Sequence, residues 1–197
     1  MSGQPVTKFA LPFTAQVFQR PSEVRQAEWT EIDFDKAIWT ILAAGTKQRQ
    51  MHRVLLSQQA LAILREAQAV SGAGRFVFPR LGSPLKPVCE NAINRALRRL
   101  KYNSEQMTSH GFRSTASTPL NESGKWNSAA IERALSHAEV NQVRAAYHRG
   151  AYWPERVETA QWWSGHLDRL PSWANVFDFP APKTSSGLQG EAGVVIF

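Results

Sequence analysis

Residues 28–57, which read EWTEIDFDKAIWTILAAGTKQRQMHRVLLS, contain three short apolar segments separated by polar connections. The first, 29–34, alternates between apolar and polar residues, and the second, 37–42, is rich in β-branched and aromatic residues. Residues 53–57 are a third candidate strand. The first connection is short enough for a tight turn, and the second is longer. The pattern predicts a small three-stranded antiparallel sheet.

Apolar residues at helical spacing occupy most of the chain outside this sheet. The stretches with that spacing are about 13–18, 57–70, 90–101, 111–121, 128–136 and part of 151–170. Ser57 is placed to cap the second of them, and Pro84 and Pro87 indicate a loop before the third. The predicted fold class is therefore α+β and mainly α. Beyond residue 170 the composition turns to Pro, Gly, Ser and Ala, so we expect one domain at 1–170 and an extended or mobile tail at 171–197.

The composition of the 197-residue chain is basic, with 23 Lys+Arg against 16 Asp+Glu, a net charge of +7 and a pI near 10.0. A polyanion, with nucleic acid as the first candidate, is the expected partner. No stretch approaches the roughly 18 apolar residues of a membrane span. The N-terminus lacks the pattern of a secretion signal. The single cysteine, Cys89, excludes an intramolecular disulfide and a zinc site built on Cys pairs, so we expect a cytoplasmic protein.

His110 and Arg113 stand three residues apart at the predicted start of a helix. This spacing turns both side chains, together with the helix N-terminus, toward one point, which would suit a phosphate group. A capped helix with a surface histidine and arginine explains the same residues. His137 and Tyr147, taken alone, are the kind of residue that more often serves packing.

Five segments taken in order resemble the catalytic domain of the tyrosine recombinases, the phage integrase family. The resemblance spans about residues 9–170 and is closest to prophage and satellite-phage integrases. It implies the fold of that catalytic domain. The segments are RPSEVRQAEWTEID at 20–33, Thr46-Lys47 in the second connection, MTSHGFRSTAS at 107–117, AIERALSHAE at 130–139 and VRAAY at 143–147.

The resemblance implies an active site for transferring a DNA phosphodiester to an enzyme hydroxyl. Its six residues are Arg20, Lys47, His110, Arg113, His137 and Tyr147. Tyr147 is the implied nucleophile, which forms a 3′-phosphotyrosyl linkage, and the two arginines hold the nonbridging oxygens. Lys47 is the implied general acid for the 5′ oxygen, His110 the acid/base toward the tyrosine, and His137 a hydrogen-bond donor to the phosphate. No metal or other cofactor is implied.

Two of these assignments have rivals nearby in the chain: Tyr152 for the nucleophile and Arg49 for the general acid. The family acts on double-stranded DNA as a tetramer on two duplexes, so a homotetramer is implied. The outward face of the helix at 90–101 adds candidate contacts to the DNA backbone, although a solvated helix face explains them equally well. They are Arg95, Arg98, Arg99 and Lys101.

Other features of the sequence depart from the family. Its members carry DNA-binding segments before the catalytic domain, whereas Arg20 lies close to the start of this chain, so we expect an N-terminally truncated protein. Pro119 falls inside the helix after Arg113, where an interior proline costs about 3 kcal/mol. An inactive prophage remnant that at most binds DNA is therefore one alternative. A type IB topoisomerase-like activity and a basic helical DNA-binding regulator are two others.

Overall fold

A computed structural model describes residues 5–43, 50–136 and 152–170 of the chain. The helices in these ranges are α1 (Pro5–Val17), α2 (Pro21–Gln26), α3 (Gln58–Ser71), α4 (Ala92–Arg99), α5 (Gly111–Glu122), α6 (Ser128–Ala134) and α7 (Trp153–Asp168). The strands are β1 (Ile32–Asp33), β2 (Ile38–Ile41), β3 (His52–Leu55), β4 (Pro79–Arg80) and β5 (Ser83–Pro87). The tail predicted at 171–197 lies outside the described residues.

The predicted antiparallel sheet is confirmed, with the strand order β1-β2-β3. Trp39 of β2 pairs with Val54 of β3, and both side chains are buried. The first predicted strand is shorter than expected, because residues 29–31 form a 3-10 turn. In that turn the Glu31 carboxylate accepts a hydrogen bond from the backbone N–H of Glu28, which satisfies a donor at the start of the turn.

The prediction of a loop at Pro84 and Pro87 is wrong, because both residues belong to β5, which pairs with β4 in a hairpin. Gly82 turns the hairpin with φ of +75°, a conformation that favours glycine. A two-stranded sheet consists only of edge strands, and proline is tolerated at an edge because its missing N–H is not needed there.

Helix α1 is longer than the sequence predicts and continues through Pro12. It contributes to both hydrophobic cores. Phe13 packs against Trp39 of the sheet, with ring centroids 5.7 Å apart, and belongs to the core shared with α3. Leu11, on the other side of the helix, belongs to the core shared with α4, α5, α6 and α7, which includes Trp163. The end of α1 therefore lies where the sheet side and the helical side of the protein meet.

Helix α5 continues through Pro119, so the proline does not end it. Phe112, Ala116 and Leu120 are buried at helical spacing on one face, and this packing anchors the helix on both sides of the proline. None of the described helices is long and apolar enough to cross a membrane.

Candidate active site

Three of the six residues implied by the sequence are described by the structure: Arg20, His110 and Arg113. Lys47, His137 and Tyr147 lie outside the described residues, as does the rival Arg49. The other rival, Tyr152, is the N-cap of α7 and has φ of 62°, in the left-handed region.

Arg20 is the N-cap residue of α2, with Pro21 in the first turn. Its backbone N–H donates to one carboxylate oxygen of Glu23 at 3.1 Å, and its Nη1 donates to the other at 3.0 Å. Glu23 is buried, so this carboxylate fixes both the backbone and the guanidinium of Arg20 in a site with little solvent. Such a bond between charged groups is stronger and more directional than a neutral one.

Arg113 joins the ends of two helices through its guanidinium. Its Nη1 donates to the backbone oxygen of Phe18 at 3.2 Å, and its Nη2 donates to that of Leu135 at 2.5 Å. Phe18 follows the last residue of α1, and Leu135 is the C-cap of α6. Carbonyls at a helix C-terminus lack partners within the helix and carry partial negative charge. The cation is therefore held by α1 and α6 together.

The backbone oxygens on either side of Leu135 hold the two residues that precede α2. Gln19 Nε2 donates to the oxygen of Ala134 at 2.7 Å, and Arg20 Nη2 donates to that of Ser136 at 2.9 Å. Three consecutive carbonyls at the end of α6 thus accept hydrogen bonds from residues 19, 113 and 20. Ser136 also has φ of 56°, a left-handed conformation that is uncommon for serine and is often found at functional sites. It immediately precedes the predicted site residue His137.

The two arginines are close enough to affect each other electrostatically. Burial lowers the pKa of Arg113, and the positive charge of Arg20 lowers it further, while Glu23 and Glu132 oppose the shift. Arginine keeps its charge in spite of such shifts. The pair is therefore suited to bind an anion such as a phosphodiester, with both guanidiniums already oriented by backbone carbonyls.

His110 is the N-cap residue of α5 and is exposed, with no capping hydrogen bond from its side chain. The start of α5 is held by two other residues instead. Thr108 Oγ1 accepts from the N–H of Gly111 at 3.1 Å, and Asn94 of α4 accepts from the N–H of Ser109 at 2.8 Å. The predicted convergence of His110 and Arg113 is partial, because Arg113 points into the protein while His110 stays on the surface.

His52, the first residue of β3, belongs to the same electrostatic cluster, although it is not among the site residues that the resemblance implies. Burial lowers its pKa to about 3, and the charges of Arg156, Arg20 and Arg113 add to the effect. Its Nε2 is buried and has no hydrogen-bond partner in the described part of the chain. The only sequence signal for His52 was its place at the strand that follows the second connection, which carries Lys47.

We expect His52 to make the folded protein sensitive to acid. The unfolded chain binds a proton on this ring near pH 6.5, whereas the folded protein does so only near pH 3. The contribution of His52 to the free energy of unfolding is thus complete above pH 6.5. Below that pH it falls by about 1.4 kcal/mol per pH unit. In urea unfolding between about pH 6 and pH 4.5, His52→Gln should remove most of that slope. An unchanged slope would contradict the burial of a neutral His52.

The candidate DNA contacts on α4, and at Lys101 just beyond its end, divide into two kinds. Arg95, Arg99 and Lys101 are exposed. Arg98 is half-buried, and its guanidinium donates to the backbone oxygens of Tyr102 and Met107, which supports the loop leading into α5. The prediction of phosphate contacts therefore rests mainly on the three exposed residues, and it stays a prediction. Among the described residues, no group of three or more His, Cys, Asp or Glu side chains could hold a metal ion.

Comparison with known proteins gives consistent matches. Residues 3–152 match the model of the phage integrase family. The chain is 41% identical over 181 residues to "Putative protein IntB" of Escherichia coli K12, covering 85% of this chain and 46% of that protein. It is 39% identical over 180 residues to the integrase of Enterobacteria phage P4, covering 84% of this chain and 41% of that protein. The chain therefore spans less than half the length of these relatives.

The fold also matches a solved structure. The crystal structure of XerA recombinase aligns with a TM-score of 0.55 at 16% sequence identity, covering 79% of this chain and 56% of that chain. At this identity the match shows the fold alone, which is the mainly helical α+β fold predicted from the sequence. The family match over most of the residues and the relatives near 40% identity show more: this chain belongs to the phage integrase family of tyrosine recombinases.

Proposed function

We propose that this chain cuts and rejoins double-stranded DNA at a specific attachment site, in the integration and excision of a prophage. The observation that carries the proposal is the pair of guanidiniums, Arg20 and Arg113, held side by side on the carbonyls at the end of α6. We propose residues 1–170 as the catalytic domain. Two DNA duplexes and four copies of the chain form the assembly that we propose by analogy with the family.

The arginine pair supports binding of the scissile phosphate. A guanidinium has five N–H donors, and the backbone and carboxylate bonds described above use only part of them. The remaining donors suit the nonbridging oxygens, on which negative charge increases in the transition state. Donors fixed in advance stabilise such charge without having to reorganise, and each is worth about 3 kcal/mol.

The proposed cleavage step uses Tyr147 and Lys47, which lie outside the described ranges, together with the exposed His110. The Tyr147 oxygen forms a bond to phosphorus while the bond from phosphorus to the 5′ oxygen breaks. The phenol proton goes to His110, and Lys47 supplies a proton to the departing 5′ oxygen. A phenol with a pKa near 10 is mostly protonated at neutral pH, so the neighbouring cations help by stabilising the phenolate. Attack by a 5′ hydroxyl on the phosphotyrosine reverses the step and releases the tyrosine.

A covalent trapping experiment tests this function. The chain is incubated in EDTA with a nicked suicide duplex that carries the chromosomal sequence flanking its gene, and SDS-resistant adducts are counted. We expect an adduct in the wild-type chain and in Arg65→Met, which changes an exposed residue of α3. If the folded chain forms no adduct, the result favours the alternative of an inactive prophage remnant that at most binds DNA. Relaxation of supercoiled plasmid at sites without sequence preference would favour the topoisomerase-like alternative.

The exposed basic residues of α4 give a separate prediction about DNA affinity. If Arg95 and Arg99 each contact a phosphate, the variant with both changed to glutamine should lower the magnitude of the slope of log K against log salt by about 1.8. The slope is measured by fluorescence anisotropy of a labelled duplex at several salt concentrations. Changing Arg65 alone to glutamine is the matched control on an unrelated helix. An unchanged slope in the double variant would assign this face to solvent.

A further inference from the structure

Arg156 lies in the first turn of α7 and is only 8% exposed. Its Nη2 donates to the backbone oxygen of Arg53 in β3 at 2.5 Å. Its guanidinium lies over the ring of Trp153, with the central carbon 5.8 Å from the ring centroid. This hydrogen bond therefore connects α7 to β3. Among the described strands, β3 is an edge strand of the three-stranded sheet.

No carboxylate among the described residues compensates the buried charge of Arg156. Within the described residues it forms no ion pair, and its Nε is buried without a hydrogen-bond partner. Burial and the like charge of Arg133 lower the pKa of Arg156 to about 10. Burying an unpaired charge is costly, and an apolar side chain of similar volume is often neutral or stabilising in such a place. Stability alone therefore gives a weak reason for an arginine here.

Arg156 joins β3 to α7, and each of these elements comes shortly after a proposed catalytic residue in the sequence. Strand β3 begins five residues after Lys47, and α7 begins six residues after Tyr147. Arg53, which accepts the hydrogen bond, is the neighbour of His52. Among the charged groups that the structure describes, Arg156 lowers the pKa of that histidine most, ahead of Arg20 and Arg113. Arg156 thus links the strand that follows the proposed general acid in the sequence to the helix that follows the proposed nucleophile.

We propose that Arg156 is a positioning residue that ties β3 to α7 and so supports protonation of the 5′ oxygen, the step that the proposed function assigns to Lys47. This inference rests on the proposed function. It assigns to Arg156 no contact with DNA. It predicts that losing the guanidinium harms the step that needs the general acid more than it harms folding or DNA binding.

The test compares Arg156→Met with the wild type on two suicide duplexes, one with an ordinary scissile phosphodiester and one with sulfur in place of the 5′ bridging oxygen. A thiolate leaves without a proton, so this second substrate makes the general acid unnecessary. At saturating DNA we expect Arg156→Met to lower the rate of adduct formation by about tenfold or more on the oxygen substrate and by less than about threefold on the sulfur substrate. The thermal midpoint should stay within about 3 °C of the wild type or rise.

Arg65→Met is the matched control and should behave as the wild type on both substrates. Equal losses on the two substrates, or a loss that only follows a lower thermal midpoint, would overturn the proposal. Hydrogen exchange gives a readout that needs no activity: amides of β2 and β3 should exchange about threefold faster or more in Arg156→Met, with α5 unchanged. Unchanged exchange in β2 and β3 would overturn the proposed role of Arg156, whether or not the wild type forms an adduct. The absence of an adduct in the wild type would instead count against the proposed function.

Discussion

Replacing Arg113 with methionine is expected to lower the rate of DNA cleavage by about 100-fold or more. The guanidinium is fixed by Phe18 and Leu135 at the ends of two helices, so no other side chain in the described part of the site can take its position. The loss of one preorganised donor to a phosphate in the transition state accounts for a loss of about this size. Arg113→Lys should lose almost as much, because one ammonium group does not bridge two helix ends and hold phosphate oxygens as well.

The measurement for Arg113 is the single-turnover rate of adduct formation at saturating DNA, beside Arg65→Met as a control with the same change of residue type. Removing the guanidinium also leaves two backbone oxygens without their donor, at a cost of about 1–3 kcal/mol each. Urea unfolding should therefore accompany the assay, which is run well below the thermal midpoint. A folded Arg113→Met that cleaves within about threefold of the wild-type rate would contradict the role of the pair.

Tyr147→Phe is expected to abolish the covalent adduct altogether, because it removes the one oxygen that bonds to phosphorus. The change deletes a single hydroxyl, so affinity for the uncleaved duplex should stay within about threefold. Tyr152→Phe is the matched control. Tyr152 serves α7 through its backbone, whose oxygen accepts a hydrogen bond from the N–H of Arg156 at 2.8 Å, and phenylalanine keeps that bond.

The two tyrosine variants are read together on the same suicide duplex. Adduct lost in Tyr147→Phe and kept in Tyr152→Phe supports the proposed nucleophile. The reverse result would move the nucleophile to the N-cap of α7. Adduct in both variants would remove the tyrosine mechanism assigned to these two positions.

The elements that depend on local patterns were predictable from the sequence. Alternating and β-branched segments predicted the sheet, and Ser57 does cap α3, since its side chain accepts from the N–H of Ala60 at 3.1 Å. The hairpin of β4 and β5 was missed because its prolines usually indicate loops and its pairing covers few residues. The length of α1 was missed because Pro12 outweighed the apolar residues on both sides of it, which tertiary packing then buries.

The site was predictable only in part, for a physical reason. Arg20 and Arg113 have a family signal, but the groups that orient them are backbone oxygens, which leave no trace in side-chain patterns. The contacts of Arg113 with Phe18, of Arg20 with Ser136 and of Arg156 with Arg53 span 95, 116 and 103 residues. Only the fold brings such positions together. For the same reason Arg156 had no functional signal in the sequence, and His52 had only its place in the strand after Lys47.

Mapping the residue that becomes linked to DNA tests directly whether Tyr147 is the nucleophile. The three tyrosines of the chain fall in separate tryptic peptides: 102–113, 145–149 and 150–156. Wild-type adduct formed in EDTA is digested with nuclease and trypsin, and the peptide that keeps a nucleotide is identified by mass spectrometry. We expect the nucleotide on peptide 145–149, at Tyr147. A nucleotide on either of the other two peptides, or no adduct from folded protein that binds the duplex, would contradict this assignment.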